Sequence, residues 1–172
     1  MRIAFKSVIV FVSTCIISAV SAQTRNEQYL EQANQILELY QERGKELTWY
    51  YEAKLANGTP GEKWGVIQIF RDEHYFELFP SIIDAISDTS YIGGYSDMYI
   101  GSVAETASFA LYQVANHVGA QLDGTSSDWT LSGMTQDRFM TREKISTRKE
   151  QIQKVQQFWI AWYEKHRWLF PN

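Results

Sequence analysis

The sequence predicts an all-α fold, built as a compact array of about five to six helices that ends in a long amphipathic C-terminal helix. Three observations favour this class. Apolar residues recur at helical spacing along most of the chain. A strong helix-start signal occurs at residues 59–62. No segment alternates apolar and polar residues convincingly over the length of a strand, and residues 65–70, which could form a strand in isolation, directly follow that helix start.

Residues 1–22 have the three parts of a cleavable secretory signal peptide. Arg2 and Lys6 provide a positive start, and residues 8–20 form an apolar stretch. Val20-Ser21-Ala22 then offers suitable residues to signal peptidase, so we expect cleavage after it. The apolar stretch is 13 residues long, whereas a membrane-spanning helix needs about 20. We therefore expect no stable membrane span and an exported protein, either periplasmic or secreted.

Residues 23–172 are expected to form a single helical domain, which is long enough to bury a core without disulfides. The one cysteine, Cys15, falls within the signal peptide, so the mature chain would have no thiol chemistry. An alternative is a lipoprotein, because Val12-Ser13-Thr14-Cys15 loosely resembles a lipobox. The apolar run continues through Ile16 and Ile17, which favours cleavage at the later site.

A first helix is expected over residues 25–43, and residues 46–56 are expected to form a second short helix or to continue the first. Both segments carry apolar residues at helical spacing. Gly44 is a plausible stop between them, and Asn57-Gly58 interrupts the second.

Thr59-Pro60-Gly61-Glu62 is the strongest local signal downstream of the signal peptide. Thr59 can cap a helix, Pro60 suits its first position, and Glu62 can reach back to the backbone amide of Thr59. These residues predict a capping box followed by a helix over residues 60–70.

Asp72 is a credible cap for a further helix over Glu73–Ser87, a segment with many apolar residues. Pro80 lies inside this segment and should kink the helix or mark its true start. We expect Phe79, which precedes the proline, to be pushed out of the α region of backbone conformation.

Two further helices and two polar loops complete the expected order. One helix should start at residue 98 or 102 and run to Val118, with an alanine-rich face suited to close helix packing. The last should start at residue 136 or 141 and run to Arg167, with an apolar seam along one side. Asp88–Asp97 and Leu122–Gln136 are expected loops, and the second is long enough to suggest a function.

Several segments resemble a HEAT-type helical repeat. They are the Arg71-Asp72-Glu73 junction, residues 79–86 and the alanine-rich residues 102–111. The aromatic tail at residues 158–163 is similar to the closing helix of small exported bacterial proteins with such repeats. The resemblance implies HEAT-like helical pairs and a binding scaffold rather than a catalyst, and it implies no particular ligand.

Charge is distributed unevenly along the chain. The formal net charge is −4, and it becomes −6 when Arg2 and Lys6 are removed. Residues 23–137 carry a net charge of −11, and residues 138–172 carry +5. A basic C-terminal helix lying against an acidic body is the favoured interpretation, and a charged docking surface is the alternative. Export and net acidity both oppose binding to nucleic acid.

The titratable residues form no recognisable catalytic or metal motif. His74, His117 and His166 lie on different expected helices without metal-ligand spacing. Asp72-Glu73-His74 is a dense cluster, but adjacent helical residues point in different directions, which favours a capped helix start. Glu105 lies off the apolar stripe and is expected in solvent. We therefore predict no catalytic residue, no metal site and no cofactor.

Aromatic residues make up 15% of the chain, and most should pack in the core. Trp129 is different because it lies in a polar segment, where it could be an exposed anchor for a partner. Tyr91, Tyr95 and Tyr99, in and after a Gly-Gly loop, are similar candidates. A sugar-stacking surface is an alternative use of these residues.

These observations predict an exported helical protein-interaction module without catalytic activity. Its partner would be another protein of the cell envelope or extracellular space, and a periplasmic inhibitor or immunity-type protein is one concrete form. The alternative is a small cell-envelope hydrolase that uses scattered carboxylates with His74 or His117. A cleft where carboxylates and a histidine converge would favour the enzyme.

Overall fold

The computed structural model describes residues 25–92, 101–131 and 142–170, with side chains from residue 148 onward in the last range. The predicted all-α class is confirmed, since β pairing in this part of the chain is limited to one isolated bridge between Tyr91 and Ser102. The α-helices are α1 (residues 25–43), α2 (Thr48–Asn57), α3 (Pro60–Asp72), α4 (Phe79–Ala85), α5 (Val103–His117), α6 (Ser126–Trp129) and α7 (Arg142–His166). Shorter 3-10 turns occupy Gly44–Leu47, Phe76–Leu78 and Arg167–Leu169.

The expected break between α1 and α2 is a tight turn at Gly44. Its φ of 55° lies in the left-handed region, which glycine adopts without steric cost. The chain then passes through the 3-10 turn directly into α2. The two helices are therefore joined closely, with Tyr51 and Leu55 of α2 buried in the core.

The capping box at the start of α3 is confirmed. The backbone N–H of Glu62 donates to Thr59 Oγ1 at 3.3 Å, and the N–H of Thr59 donates to Glu62 Oε2 at 2.8 Å. Two glycines of α3 face α1 at close range. A Cβ atom at Gly61 would lie 2.5 Å from the carbonyl oxygen of Tyr29, and one at Gly65 would lie 2.8 Å from that of Ala33.

The helix expected over Glu73–Ser87 is wrong in its first half. Asp72 is the last residue of α3, and its carboxylate accepts from Arg71 Nε at 2.6 Å instead of capping a helix. His74 has a φ of 50°, in the left-handed region, so the helical conformation is interrupted there before α4 begins. Pro80 lies in the first turn of α4, so the expectation that it marks the true start of the helix is confirmed and no kink is involved.

The expected conformation of Phe79 is also wrong. Its φ of −52° and ψ of −48° are helical, although a proline follows it. The side chain is fully buried and stacks on Trp162 and Tyr163 of α7, with ring centroids 5.7 and 5.0 Å away. Burial of this ring stabilises a backbone conformation that the local sequence disfavours.

α5 begins with a second capping box, which was not predicted from the sequence. The N–H of Ser102 donates to Glu105 Oε2 at 2.8 Å, and the N–H of Glu105 donates to Ser102 Oγ at 3.2 Å. The expected solvent exposure of Glu105 is therefore wrong, because the side chain is half-buried against the cap. The alanine-rich face of α5 packs mainly on α3 and α4.

Both expected loops lie partly outside the described residues. In the first, Ile92 is buried, and the carbonyl of Asp88 accepts from the N–H of Ala104 at 2.8 Å. For the second, the prediction of a loop without secondary structure over Leu122–Gln136 is wrong in the described part. The short helix α6 forms there, with a capping box between Thr125 and Asp128. Residues 93–97 and 132–136 lie outside the described residues.

α7 packs along the body through the predicted apolar seam. Ile152, Val155, Trp159 and Trp162 are buried, and His166 stacks on Trp162 with a centroid distance of 4.5 Å. The polar side of α7 meets acidic residues, as the favoured interpretation of the charge pattern expected: Lys154 Nζ lies 2.6 Å from Asp128 Oδ1, and Lys165 Nζ lies 3.7 Å from Asp123 Oδ2.

Candidate functional site

A groove of about 260 Å³ lies between α2 and α4, and residues of α3 and of the turn after α4 complete its lining. We call it the α2–α4 groove. Its lining residues are Glu52, Leu55, Ala56, Lys63, Ser81, Asp84, Ala85, Ser87 and Asp88. Three carboxylates and one ammonium group therefore share a small volume with three apolar side chains.

Helical spacing brings these residues to one place. On α2, Leu55 points inward and is 3% exposed, while Glu52 and Ala56 flank it on the exposed side. On α4, Ser81, Asp84 and Ala85 follow the same spacing of three and four residues. Ser81 and Asp84 therefore give α4 a polar face at the groove.

A partly buried ion pair connects the groove lining to α3. Lys63 Nζ donates to Asp88 Oδ2 at 2.6 Å, and the two side chains are 12% and 19% exposed. Burial alone would raise the pKa of Asp88, but hydrogen bonds from Lys63 and Ser90 outweigh it and hold the pKa below its usual value. The pair is thus ionised at neutral pH and fastens the start of the 88–92 segment to α3.

The other two carboxylates of the groove have no such cation. Glu52 and Asp84 are both exposed, and within the described residues neither is paired with a lysine or an arginine. Since Lys63 is neutralised by Asp88, these two groups give the groove a net negative charge. They lie on different helices, so a cation between them would contact both walls.

Trp49 is not one of the groove's lining residues, but helical spacing places it on the same face of α2 as Glu52 and Ala56, which line the groove. The three positions are separated by three and four residues, which aligns their side chains along one side of the helix. The indole is 66% exposed and contacts Tyr50 edge-on at 6.0 Å. An exposed tryptophan next to unpaired carboxylates is a surface suited to an organic cation.

The expectation that Trp129 is an exposed anchor is wrong. It is the last residue of α6, which places its ring flat on Tyr112 of α5 at a centroid distance of 4.5 Å. The side chain of Trp129 is half-buried, and the backbone carbonyl of Trp129 accepts a hydrogen bond from Trp159 Nε1 at 2.7 Å. The four-residue helix was not visible in the polar sequence, and it turns the indole toward the body of the protein.

The predicted tyrosines are only partly described. Tyr91 is half-buried and forms the isolated bridge with Ser102 at the start of α5. Tyr95 and Tyr99 lie outside the described residues. Tyr91 and Trp129 contact different ends of α5, since Tyr91 pairs with Ser102 and Trp129 stacks on Tyr112. Ten residues separate these two contact points, which is about 15 Å along a helix, so Tyr91 and Trp129 are not neighbours.

Two of the three histidines meet in the fold. The rings of His74 and His117 stack with a centroid distance of 3.6 Å and an interplanar angle of 24°. The sequence did not predict this contact, since the two residues lie on separate helical segments. Neither lines the α2–α4 groove. Across residues 25–92, 101–131 and 142–170, no three histidine, cysteine, aspartate or glutamate residues are grouped to hold a metal ion.

Comparisons with family models, with curated proteins and with solved structures found no match. The resemblance to HEAT-like repeats therefore stays a prediction. Within the described part of the chain, no helix is long and apolar enough to span a membrane.

Proposed function

We propose that this protein is an exported helical interaction module that binds another protein of the cell envelope or extracellular space and catalyses no reaction. A periplasmic inhibitor or immunity-type protein is one form of this function. The observation that carries the proposal is the surface formed by the α2–α4 groove and the neighbouring Trp49 of α2. There an exposed indole and two carboxylates that have no cationic partner among the described residues stand on packed helices.

This surface has the properties of a binding hot spot. Tryptophan is enriched among residues that contribute most to protein–protein affinity. Its supporting helix is anchored by Tyr51 and Leu55 in the core, and the opposite wall is held by Ile82 and Ile83 of α4. Rigid walls reduce the ordering cost of association.

The hydrolase alternative receives less support from the same groove. Its nine lining residues include three carboxylates and no histidine. Glu52 and Asp84 are exposed to water, whereas a glycosidase acid needs a buried carboxyl group whose pKa is raised. His74 and His117 stack on each other, and neither of them lines the groove.

A capture experiment with two tryptophan variants tests the proposal. Protein purified from the exported fraction of cells that express the whole chain serves as bait for an envelope extract. Trp49→Ala should lose a stoichiometric partner that the wild type retains. Trp168→Ala is the matched control, because Trp168 is also highly exposed, at 75%, and lies in the 3-10 turn Arg167–Leu169, which contributes no residue to the groove lining.

A photo-crosslinker at Ala53 makes the test site-specific, because Ala53 is exposed on the same side of α2 as Trp49. It should crosslink the captured partner, while the same group at the exposed Gln153 of α7 should not. If both tryptophan variants captured the partner equally and no crosslink formed from Ala53, the α2–α4 groove would not be the binding surface.

Export is part of the proposal and has its own test. N-terminal sequencing of the exported protein should begin at Gln23. Ala22→Arg should block this cleavage, because signal peptidase requires a small residue at that site. A lipid-modified N-terminus at Cys15 would instead establish the lipoprotein alternative.

A further inference from the structure

The polar groups of the α2–α4 groove favour a cation of a particular shape. Glu52 approaches from α2 and Asp84 from α4, so an occupant between the helices must offer donors in more than one direction. A guanidinium group carries five N–H donors in one plane and can bridge two carboxylates, whereas a single ammonium group is a point charge. Lys63 is already paired with Asp88 and does not compete for the site.

The apolar part of the groove suits the stem of the same side chain. Leu55, Ala56 and Ala85 line it beside the charged groups. Arginine buries its methylene stem along apolar surface while its charged head meets polar partners. A small inorganic cation would leave this apolar lining without a contact.

Trp49 supplies a third, independent feature. Its exposed indole lies one helical turn from Glu52 on α2. A planar guanidinium stacks on an indole face and gains both cation–π and dispersion energy. Unpaired charge, apolar lining and aromatic face therefore converge on one ligand chemistry.

We infer that the α2–α4 groove binds an arginine side chain presented by the partner protein. Glu52 and Asp84 accept hydrogen bonds from the guanidinium, and Trp49 covers its face. This inference rests on the proposed function, since it names the chemistry by which the partner is recognised.

The test uses a small probe in place of the partner. N-acetyl-arginine methylamide is titrated into the ¹⁵N-labelled exported protein and followed by NMR. It should shift the Trp49 indole and the Ala53 and Ala56 amide signals at millimolar concentration. The citrulline analogue, which has nearly the same shape without the charge, should leave these signals unchanged. The lysine analogue should bind more weakly.

Charge-neutralising variants separate a specific site from general acidity. Glu52→Gln with Asp84→Asn should weaken probe binding about fivefold or more, given the strength of exposed ion pairs. Glu31→Gln with Glu38→Gln removes the same charge from exposed positions of α1 and should leave binding unchanged. Equal weakening by both pairs, or equal shifts with citrulline, would overturn the inference.

The two proposals fail in different ways. If Trp49→Ala loses the partner but the arginine probe causes no shift, the interaction module stands and the arginine site is wrong. If the probe binds through Glu52 and Asp84 but no partner depends on Trp49, the arginine site stands and the proposed function is wrong. Equal affinity for the lysine analogue would overturn the preference for guanidinium.

Discussion

Gly61 and Gly65 have a role that only the packed structure reveals. Gly61 belongs to the helix-start signal at residues 59–62, but no sequence pattern explains why glycine occupies position 65 in the interior of α3. The reason is the backbone of α1, whose carbonyl oxygens at Tyr29 and Ala33 would lie within 3 Å of a Cβ atom. Glycine at these positions therefore sets the distance between two helices.

Gly65→Ala should destabilise the protein by about 1–3 kcal/mol, as overpacking typically does. The added methyl group would lie 2.8 Å from the Ala33 carbonyl oxygen and 2.9 Å from Ile36 Cβ, and backbone atoms cannot yield as a flexible side chain would. This cost should exceed the gain of up to about 1 kcal/mol from better helix propensity. Urea unfolding measures the difference, with Gln153→Ala as an exposed helical control.

The tryptophans show how far single residues could be interpreted from sequence. Trp159 and Trp162 lie in a long periodic segment, and their predicted burial on the seam of α7 is confirmed. Trp129 has polar neighbours, and the prediction from those neighbours was wrong because a tertiary contact with Tyr112 decides its position. Trp49 was not predicted as a site residue, although its spacing of three residues from Glu52 and seven from Ala56 would have placed all three on one face of a helix.

Among the elements, α3 has the start that the sequence predicts best, and its cap should contribute measurably to stability. Thr59→Ala removes the oxygen that accepts from the Glu62 N–H, and it also removes the hydroxyl that donates to Gln32 Oε1 of α1 at 2.7 Å. We expect a loss of about 0.5–2 kcal/mol. Thr59→Ser keeps both hydrogen bonds and is the matched control. Equal unfolding midpoints for the alanine and serine variants would contradict a capping role.

The contact between α6 and α7 should weaken in acid. The hydrogen bond from Lys154, assisted by those from Thr125, lowers the pKa of Asp128 from 3.8 to about 2. Since the folded-state pKa is depressed, the contribution to stability is fully present above about pH 4 and is lost as the pH falls toward 2. Unfolding free energy should therefore fall more steeply between pH 4 and 2 in the wild type than in Asp128→Asn. Parallel pH profiles would show that the pair contributes nothing.

Element boundaries failed where tertiary packing opposed local preference. The segment from Asp72 to Pro80 carries helical periodicity, yet His74 adopts a left-handed φ and a 3-10 turn follows before α4. Tyr75 and Phe79 are both fully buried on this path, Tyr75 beside Tyr40 of α1 and Phe79 against Tyr163 of α7. Periodicity identified the buried residues but not the route of the chain between them.

For the whole molecule, fold class was predictable and helix neighbours were not. Helical spacing and caps are local properties, and they define most of the described helices. The α2–α4 groove depends on which helices pack together, and Glu52 and Asp84 are distant in sequence. No local pattern relates such positions, so the candidate site could not be assembled before the structure was known.

α7 should be required for the fold of the rest of the domain. A chain that stops after residue 141 would expose Phe79, which is otherwise fully buried against Trp159, Trp162 and Tyr163. We expect helical far-ultraviolet circular dichroism, weak near-ultraviolet signal and binding of a hydrophobic dye, as in a molten globule. Cooperative unfolding of this shortened chain would show instead that α1 to α6 form an independent core.

The contacts of Phe79 with α7 also have a consequence for folding rate. They join residues that are more than 80 positions apart, whereas α2, α3 and α4 follow one another along the chain. Closing so long a loop costs entropy before any contact offsets it. Collapse around α3 and α4 should therefore come early and docking of α7 late, so the speed at which native protein accumulates would be governed by the docking of α7.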